Sequence, residues 1–144
     1  MKLNSECFNS YLKLYNKAVE NNIQLVIYSS FRTVEKQKQI YYSKDDNSLI
    51  AKPYHSEHHT ALSIDIATYS SGLTYYFEST DSFKFLDEYA HQYGFILRYP
   101  KGKENITGYN YEPWHYRYVG IEHAMIMKEN DLTLEEYIYN YIPL

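Results

Sequence analysis

The sequence predicts an α+β fold: a small, mostly antiparallel central sheet flanked by helices, in a single domain covering 1–144. Three observations predict it. Apolar residues recur at mostly helical spacing near the start of the chain, in its middle and at its end. Short runs of strand character lie between them, near 24–28, 61–67, 95–99 and 114–119. The 144 residues contain no repeat, low-complexity tract or linker, and suffice for one domain with its own core.

Taken in order, Phe8, Leu12, Leu14, Tyr15 and Val19 mark an amphipathic helix over 4–21, which Asn21-Asn22 ends. Gln24 to Tyr28 is short and β-rich, a strand. Ser29 to Arg32 leaves it, and Thr33-Val34-Glu35-Lys36 has the character of a helix start, with Gln37 in the first turns and an end near Ser43. Lys44 to Pro53 is polar and reads as a loop. Ala61 to Ala67 is a strand whose Leu62, Ile64 and Ile66 face the core, opposite Ala61, Ser63, Asp65 and Ala67.

After a turn at 69–73, Asp81 is expected to cap a helix over 82–92, and Gly94 to stop it. Phe95 to Tyr99 is a strand, and Lys101 to Tyr111 a polar loop in which Lys101-Gly102-Lys103 is solvated. Trp114 to Val119 alternates as a strand, with His115 and Arg117 opposite Trp114, Tyr116 and Tyr118. Glu112 has the wrong parity to join His115 on that strand, and Pro113 supplies the break between them. A helical hairpin over 121–129 and 134–141 closes the chain, with a capping box at Thr133-Leu134-Glu135-Glu136.

Composition excludes several classes of function. A net charge of −4 and a pI near 5.8 leave no nucleic-acid footprint. No run of about 18 apolar residues is present, so no membrane span is expected. The first residues lack an apolar core and do not read as a signal peptide. A cytoplasmic location is expected of the sequence as it stands, and an extracellular or anchored one if an N-terminal segment precedes it. The single cysteine, Cys7, forms no internal disulfide. The 19 tyrosines suit wet clefts as well as cores.

The informative stretch is Ser56 to Asp65, S-E-H-H-T-A-L-S-I-D. Asp65 sits among Leu62, Ile64 and Ile66, where a carboxylate needs something to offset its desolvation. Its small neighbours leave room for a cation. A second group, Glu112-Pro113-Trp114-His115, brings another carboxylate and imidazole. His58, Asp65 and His115 then give two nitrogens and one oxygen, a set that suits catalytic zinc with a position open to water. His55 and His59 compete with His58 as ligands. Glu112 remains free to act as a base. His91 and His123 fall in helices and receive no role.

These blocks, with Ser30-Phe31-Arg32-Thr33, Gln37 and the stretch from Tyr93 to Gly120, resemble the zinc D,D-carboxypeptidases of the VanY and VanXY type, within the wider group of lysostaphin-like and hedgehog-like zinc domains. The resemblance spans roughly Ile23 to Gly120 and implies the same α+β fold. It selects His58 over His55 and His59. It implies Zn2+ on His58, Asp65 and His115, with Glu112 as the catalytic base. Arg32 is implied to bind a substrate carboxylate or to stabilise an oxyanion, Gln37 and Ser56 to hold the substrate backbone, and Trp114 to line the pocket. Three departures concern pocket shape: Ala61 where the family usually has Gly, Ser63 where it has Ala, and Ser30 where it has Gly.

The implied substrate is a peptidoglycan stem peptide or precursor ending in D-Ala-D-Ala, shortened by one D-Ala, which would lower the pool of vancomycin-binding termini. An L,D-carboxypeptidase, a D-Ala-D-Ala dipeptidase and a phage-type endopeptidase share the zinc set. A non-catalytic hedgehog-like module is the reading from another class, and Glu112 argues against it, because a structural zinc site needs no spare base.

Overall fold

The computed structural model describes residues 2–47 and 50–142. Ser48 and Leu49, within the loop expected over 44–53, lie outside the described residues, as do Met1, Pro143 and Leu144. Among the described residues, six helices surround a four-stranded antiparallel sheet of order β1-β2-β4-β3. The strands are β1 Val26–Ser29, β2 Ser63–Ala67, β3 Phe95–Leu97 and β4 His115–Tyr118. No helix among the described residues is long and apolar enough to cross a membrane.

Helix α1, Ser5–Glu20, starts at Asn4, whose side chain accepts from the backbone N–H groups of Glu6 and Cys7. It buries Cys7, Tyr11, Leu14 and Ala18 against the sheet. Asn22, at φ 58°, turns the chain toward β1. Helix α2, Val34–Tyr42, begins as expected at Thr33, whose hydroxyl accepts from Lys36 N–H at 3.1 Å.

Helix α3, Asp81–Tyr89, differs at its start: the cap is Thr80, which accepts from Phe83 N–H at 3.2 Å, while Asp81 lies in the first turn and pairs with Lys84. Both residues are capping types, and the register settled one position earlier. The expected helix over 82–92 tightens to 3₁₀ geometry over Ala90–Tyr93 and stops at Gly94, φ 83°. A side chain is excluded at Gly94, since a Cβ would lie 2.7 Å from the Tyr118 ring.

The expected polar loop over 101–111 contains a one-turn helix, α4, Glu104–Thr107. Lys103 is not solvated: it pairs with Glu136 at 3.3 Å and Asp131 at 3.6 Å. Helices α5, Ile121–Glu129, and α6, Leu134–Tyr141, match the expected hairpin, including the reciprocal Thr133–Glu136 capping box. The main core joins α1, α3 and the sheet through Leu14, Ile64, Ile66, Leu86, Phe95 and Tyr116. A smaller cluster of Ile96, Ala124, Met127 and Tyr137 seats α5 and α6.

The strand bounds change: β1 runs Val26–Ser29 rather than over 24–28, β3 ends at Leu97 rather than Tyr99, and β4 is confined to His115–Tyr118, with Trp114 in the turn before it. Strand β2 starts at Ser63, because Ala61 adopts the left-handed conformation, φ 59° and ψ 21°, ending a 3₁₀ turn over Glu57–Thr60. Ala67 belongs to the core rather than to an open face. The partition at the centre of β2 holds: Ile64 and Ile66 are in the core, and Asp65 faces the cleft described next.

Candidate active site

Strand pairing assembles the site. Asp65 on β2 is directly opposite His115 on β4, and opposite Ser29 at the end of β1. An irregularity between Ile27 and Ser29 bends β1 there, and the chain leaves toward Arg32. The 3₁₀ turn after Ser56 carries His58 in beside them. Among the described residues, His58, Asp65 and His115 offer metal-ligand atoms that all lie within 4.8 Å of one another, and all three side chains are buried.

Each ring can present one nitrogen to an ion while the other is held by a neighbouring oxygen. His58 Nδ1–H donates to the Ser30 carbonyl at 2.7 Å, so Nε2 faces Asp65 Oδ2 at 3.1 Å. His115 lies between two carboxylates, with Nε2 3.3 Å from Glu57 Oε2 and Nδ1 2.9 Å from Asp65 Oδ1; the tautomer that donates Nε2–H to Glu57 presents Nδ1 beside Asp65 as a ligand atom. The two rings are nearly perpendicular, 87° apart, with centroids separated by 5.0 Å. A tetrahedral zinc with bonds near 2.0–2.1 Å holds its ligand atoms about 3.3 Å apart, so this donor set fits the ion with small adjustments. Burial works to raise the Asp65 carboxyl, and the His115 and His58 imidazoles packed against it outweigh burial and hold it well below the usual carboxylate range.

Glu112 lies outside that set. Pro113-Trp114 forms a turn before β4, with His115 N–H on the Glu112 carbonyl at 3.2 Å. The turn swings the Glu112 carboxylate to 3.9 Å from His115 Nδ1, despite its mismatched strand parity. Burial pushes this carboxyl up to about 7, against the pull of His115 and Arg32 and with the push of Asp65. A carboxylate poised there can take and return a proton near neutral pH.

Arg32 spans the other wall. One Nη donates to Ser29 Oγ and the other to Gln37 Oε1, both at 2.8 Å, and its nearest Asp65 oxygen is 4.0 Å away. Gln37 is 1% exposed and its Nε2 donates to the Ala51 carbonyl at 2.6 Å, so it fixes the guanidinium plane. His59 Nδ1–H donates to the Arg32 carbonyl at 2.7 Å. Ser56 is buried on the cleft wall, and Trp114 lines the cleft with its ring 5.8 Å from that of Tyr75. The structure therefore brings all eight candidate residues to one cleft. His55 is exposed, and His123 is occupied by the Tyr137 hydroxyl at 2.7 Å.

Sequence reasoning missed a second layer. Glu57 accepts from Arg98 Nε at 2.8 Å and from Ser63 Oγ at 3.1 Å, pairs with Arg117 Nη1 at 2.9 Å and lies 3.3 Å from His115 Nε2. Burial works to raise its carboxyl, and these partners reverse that, holding it well below the usual range. Tyr99 stacks on His115 at 5.0 Å and 22°. One signal was readable: Arg117 and Ser63 share the strand faces of His115 and Asp65, so two more polar side chains had to meet beside the site.

Two imidazoles, a carboxylate between them and a further, half-buried carboxylate outside the ligand set form the donor pattern of a mononuclear metallohydrolase. The profile of the VanY family of D-alanyl-D-alanine carboxypeptidases matches residues 1–121. The chain is 38% identical over 137 residues to a D-alanyl-D-alanine carboxypeptidase of Enterococcus faecium, covering 94% of this chain and 44% of that protein. Among solved structures, the LdcB LD-carboxypeptidase superposes with a TM-score of 0.88 at 39% identity, over 95% of this chain and 68% of that one. A mutant of the vancomycin-resistance D,D-pentapeptidase VanY in complex with Zn(II) superposes with a TM-score of 0.81 at 33% identity, over 94% and 83%. The chain belongs to the VanY family of D-alanyl-D-alanine carboxypeptidases, as its motifs implied. It spans about half the length of the curated relatives it matches.

Proposed function

We propose that this chain is a zinc-dependent D,D-carboxypeptidase that removes the terminal D-Ala from peptidoglycan stem peptides ending in D-Ala-D-Ala. The observation that carries the reading is the Glu112 carboxylate, half-buried 3.9 Å from His115 Nδ1 yet not needed to complete the ligand set. His58 Nε2, Asp65 and His115 Nδ1 would hold the ion. Zinc, when bound there, supplies a Lewis acid for the peptide carbonyl and acidifies a water.

The chain's own residues do the rest. Glu112 takes the proton of the attacking water and returns it to the leaving amine nitrogen of D-Ala. Arg32, held flat by Ser29 and Gln37, presents its remaining N–H groups to the substrate's terminal carboxylate or to the developing oxyanion. Ser56 borders the path of the substrate backbone, Gln37 acts on the substrate through Arg32, and Trp114 closes the wall and excludes water. In a cell wall under vancomycin, this reaction lowers the number of termini the antibiotic can bind.

A second reading, an L,D-carboxypeptidase acting on tetrapeptides, is supported by the TM-score of 0.88 to an LD-carboxypeptidase. A D-Ala-D-Ala dipeptidase would use the same residues. Mass spectrometry of products from pentapeptide, tetrapeptide and free D-Ala-D-Ala separates the three. Loss of one D-Ala from the pentapeptide alone is the expected result. Release from the tetrapeptide alone supports the second reading, and no release from any stem peptide leaves a zinc-binding module.

A further inference from the structure

We propose that Glu135, on helix α6, is a remote positioning residue for the metal ligand His115, acting through Arg98 and Glu57. The inference rests on the reading of His58, Asp65 and His115 as a metal site. Glu135 lies beyond residues 1–121, the part of the chain the family profile matches.

The path is a continuous run of charge-assisted hydrogen bonds. Arg98 leaves the end of β3 with a side chain only 9% exposed. Its two Nη groups donate to the two oxygens of Glu135, with Nη1 to Oε2 at 3.0 Å, a fork-to-fork pair. Its Nε donates to Glu57 Oε1 at 2.8 Å. The other oxygen of Glu57, Oε2, accepts from His115 Nε2–H at 3.3 Å. The Arg98 guanidinium also lies 4.9 Å from the centre of the Tyr99 ring, the ring stacked on His115. Arg98 therefore touches both groups that fix the His115 imidazole, the acceptor at its edge and the aromatic on its face.

Glu135 matters because it occupies the fork of Arg98. With that carboxylate removed, a largely buried guanidinium keeps a single anionic partner and gains most by drawing both oxygens of Glu57 to itself. Oε2 is the oxygen His115 uses. Its withdrawal frees the ring to rotate and leaves no acceptor to keep the proton on Nε2, so Nδ1 is no longer fixed for the metal. Arg117 beside Oε1 and Ser63 on Oε2 still tether Glu57, so the loss of Glu135 weakens the hold of Glu57 on His115 rather than abolishing it.

The test measures zinc affinity by chelator competition, and the visible spectrum of the cobalt(II)-loaded protein, on the full chain. Glu57→Gln is expected to weaken zinc binding about 10–100-fold. Glu135→Gln, one link further out, is expected to weaken it about threefold to tenfold and to shift the cobalt bands, with little further loss in the Glu57→Gln background. Lys103→Met breaks the other ion pair that anchors α6, Lys103–Glu136 at 3.3 Å, without touching Arg98. It should lower the melting temperature and leave zinc affinity unchanged.

Wild-type zinc affinity and cobalt spectrum in Glu135→Gln overturn the proposal, whatever its melting temperature. So does an equal loss of zinc affinity in Lys103→Met, which makes general loosening of α6 the cause. Failure of the metal reading looks different: either wild type takes up no zinc, or His58→Ala binds it as tightly as wild type.

Discussion

Asp65 Oδ1 lies 2.9 Å from His115 Nδ1, although the two residues are 50 positions apart in the chain. They meet because β2 and β4 pair antiparallel with these residues in register, both side chains on the face away from Ile64 and Tyr116. A one-residue slip of this pair would send both polar groups into the core and the apolar ones into the cleft. The register of the sheet and the geometry of the site are thus specified by the same alternation.

His58→Ala should abolish stoichiometric zinc binding, because three protein ligands become two. Metal analysis after dialysis checks it, beside circular dichroism to show that the fold survives. Zinc retained at one equivalent in His58→Ala would remove His58 from the ligand set and return His55 and His59 to consideration.

Arg32→Lys keeps the charge and loses the planar fork that Ser29 and Gln37 hold at 2.8 Å each. Catalytic efficiency on a D-Ala-D-Ala pentapeptide should fall at least tenfold, about 1.4 kcal/mol of transition-state stabilisation. Gln37→Leu, which removes one prop and leaves the guanidinium, should cost less than Arg32→Lys. Steady-state kinetics of both variants orders them, and unchanged rates for Arg32→Lys make Arg32 a bystander.

Ala61→Gly should stabilise the protein. Ala61 sits at φ 59°, where an L side chain costs about 1–2 kcal/mol, partly offset by the greater unfolded-state freedom of glycine. A net gain of about 0.5–1 kcal/mol is expected in urea unfolding, with zinc content unchanged. A loss of stability would show that the Ala61 methyl packs better than its backbone suffers.

Local patterns made much of this legible. Asp65 stood out as a carboxylate among Leu62, Ile64 and Ile66, and the parity clash between Glu112 and His115 foretold the turn at Pro113-Trp114. The capping box at Thr133 was readable because all its parts lie within four residues. What escaped depends on partners distant in sequence. Glu57 looks like an ordinary surface acid until Arg98 from the end of β3 and Arg117 from β4 close on it. Ala61 read as strand because its side-chain type says nothing against it, and only the turn that delivers His58 requires its left-handed backbone. Lys103 read as solvated because Asp131 and Glu136, its partners, arrive with the hairpin that follows β4.

The central claim is that Glu112 moves a proton at a zinc site it does not ligate. Glu112→Gln keeps size and hydrogen bonding but cannot accept that proton. The measurement pairs zinc content with the rate of D-Ala release from a pentapeptide, for wild type and mutant in the same preparation. The account predicts one zinc per chain in both proteins and a rate reduced about 10²–10⁴-fold in the mutant. Hydrolysis by Glu112→Gln at the wild-type rate, with zinc still bound, would contradict it.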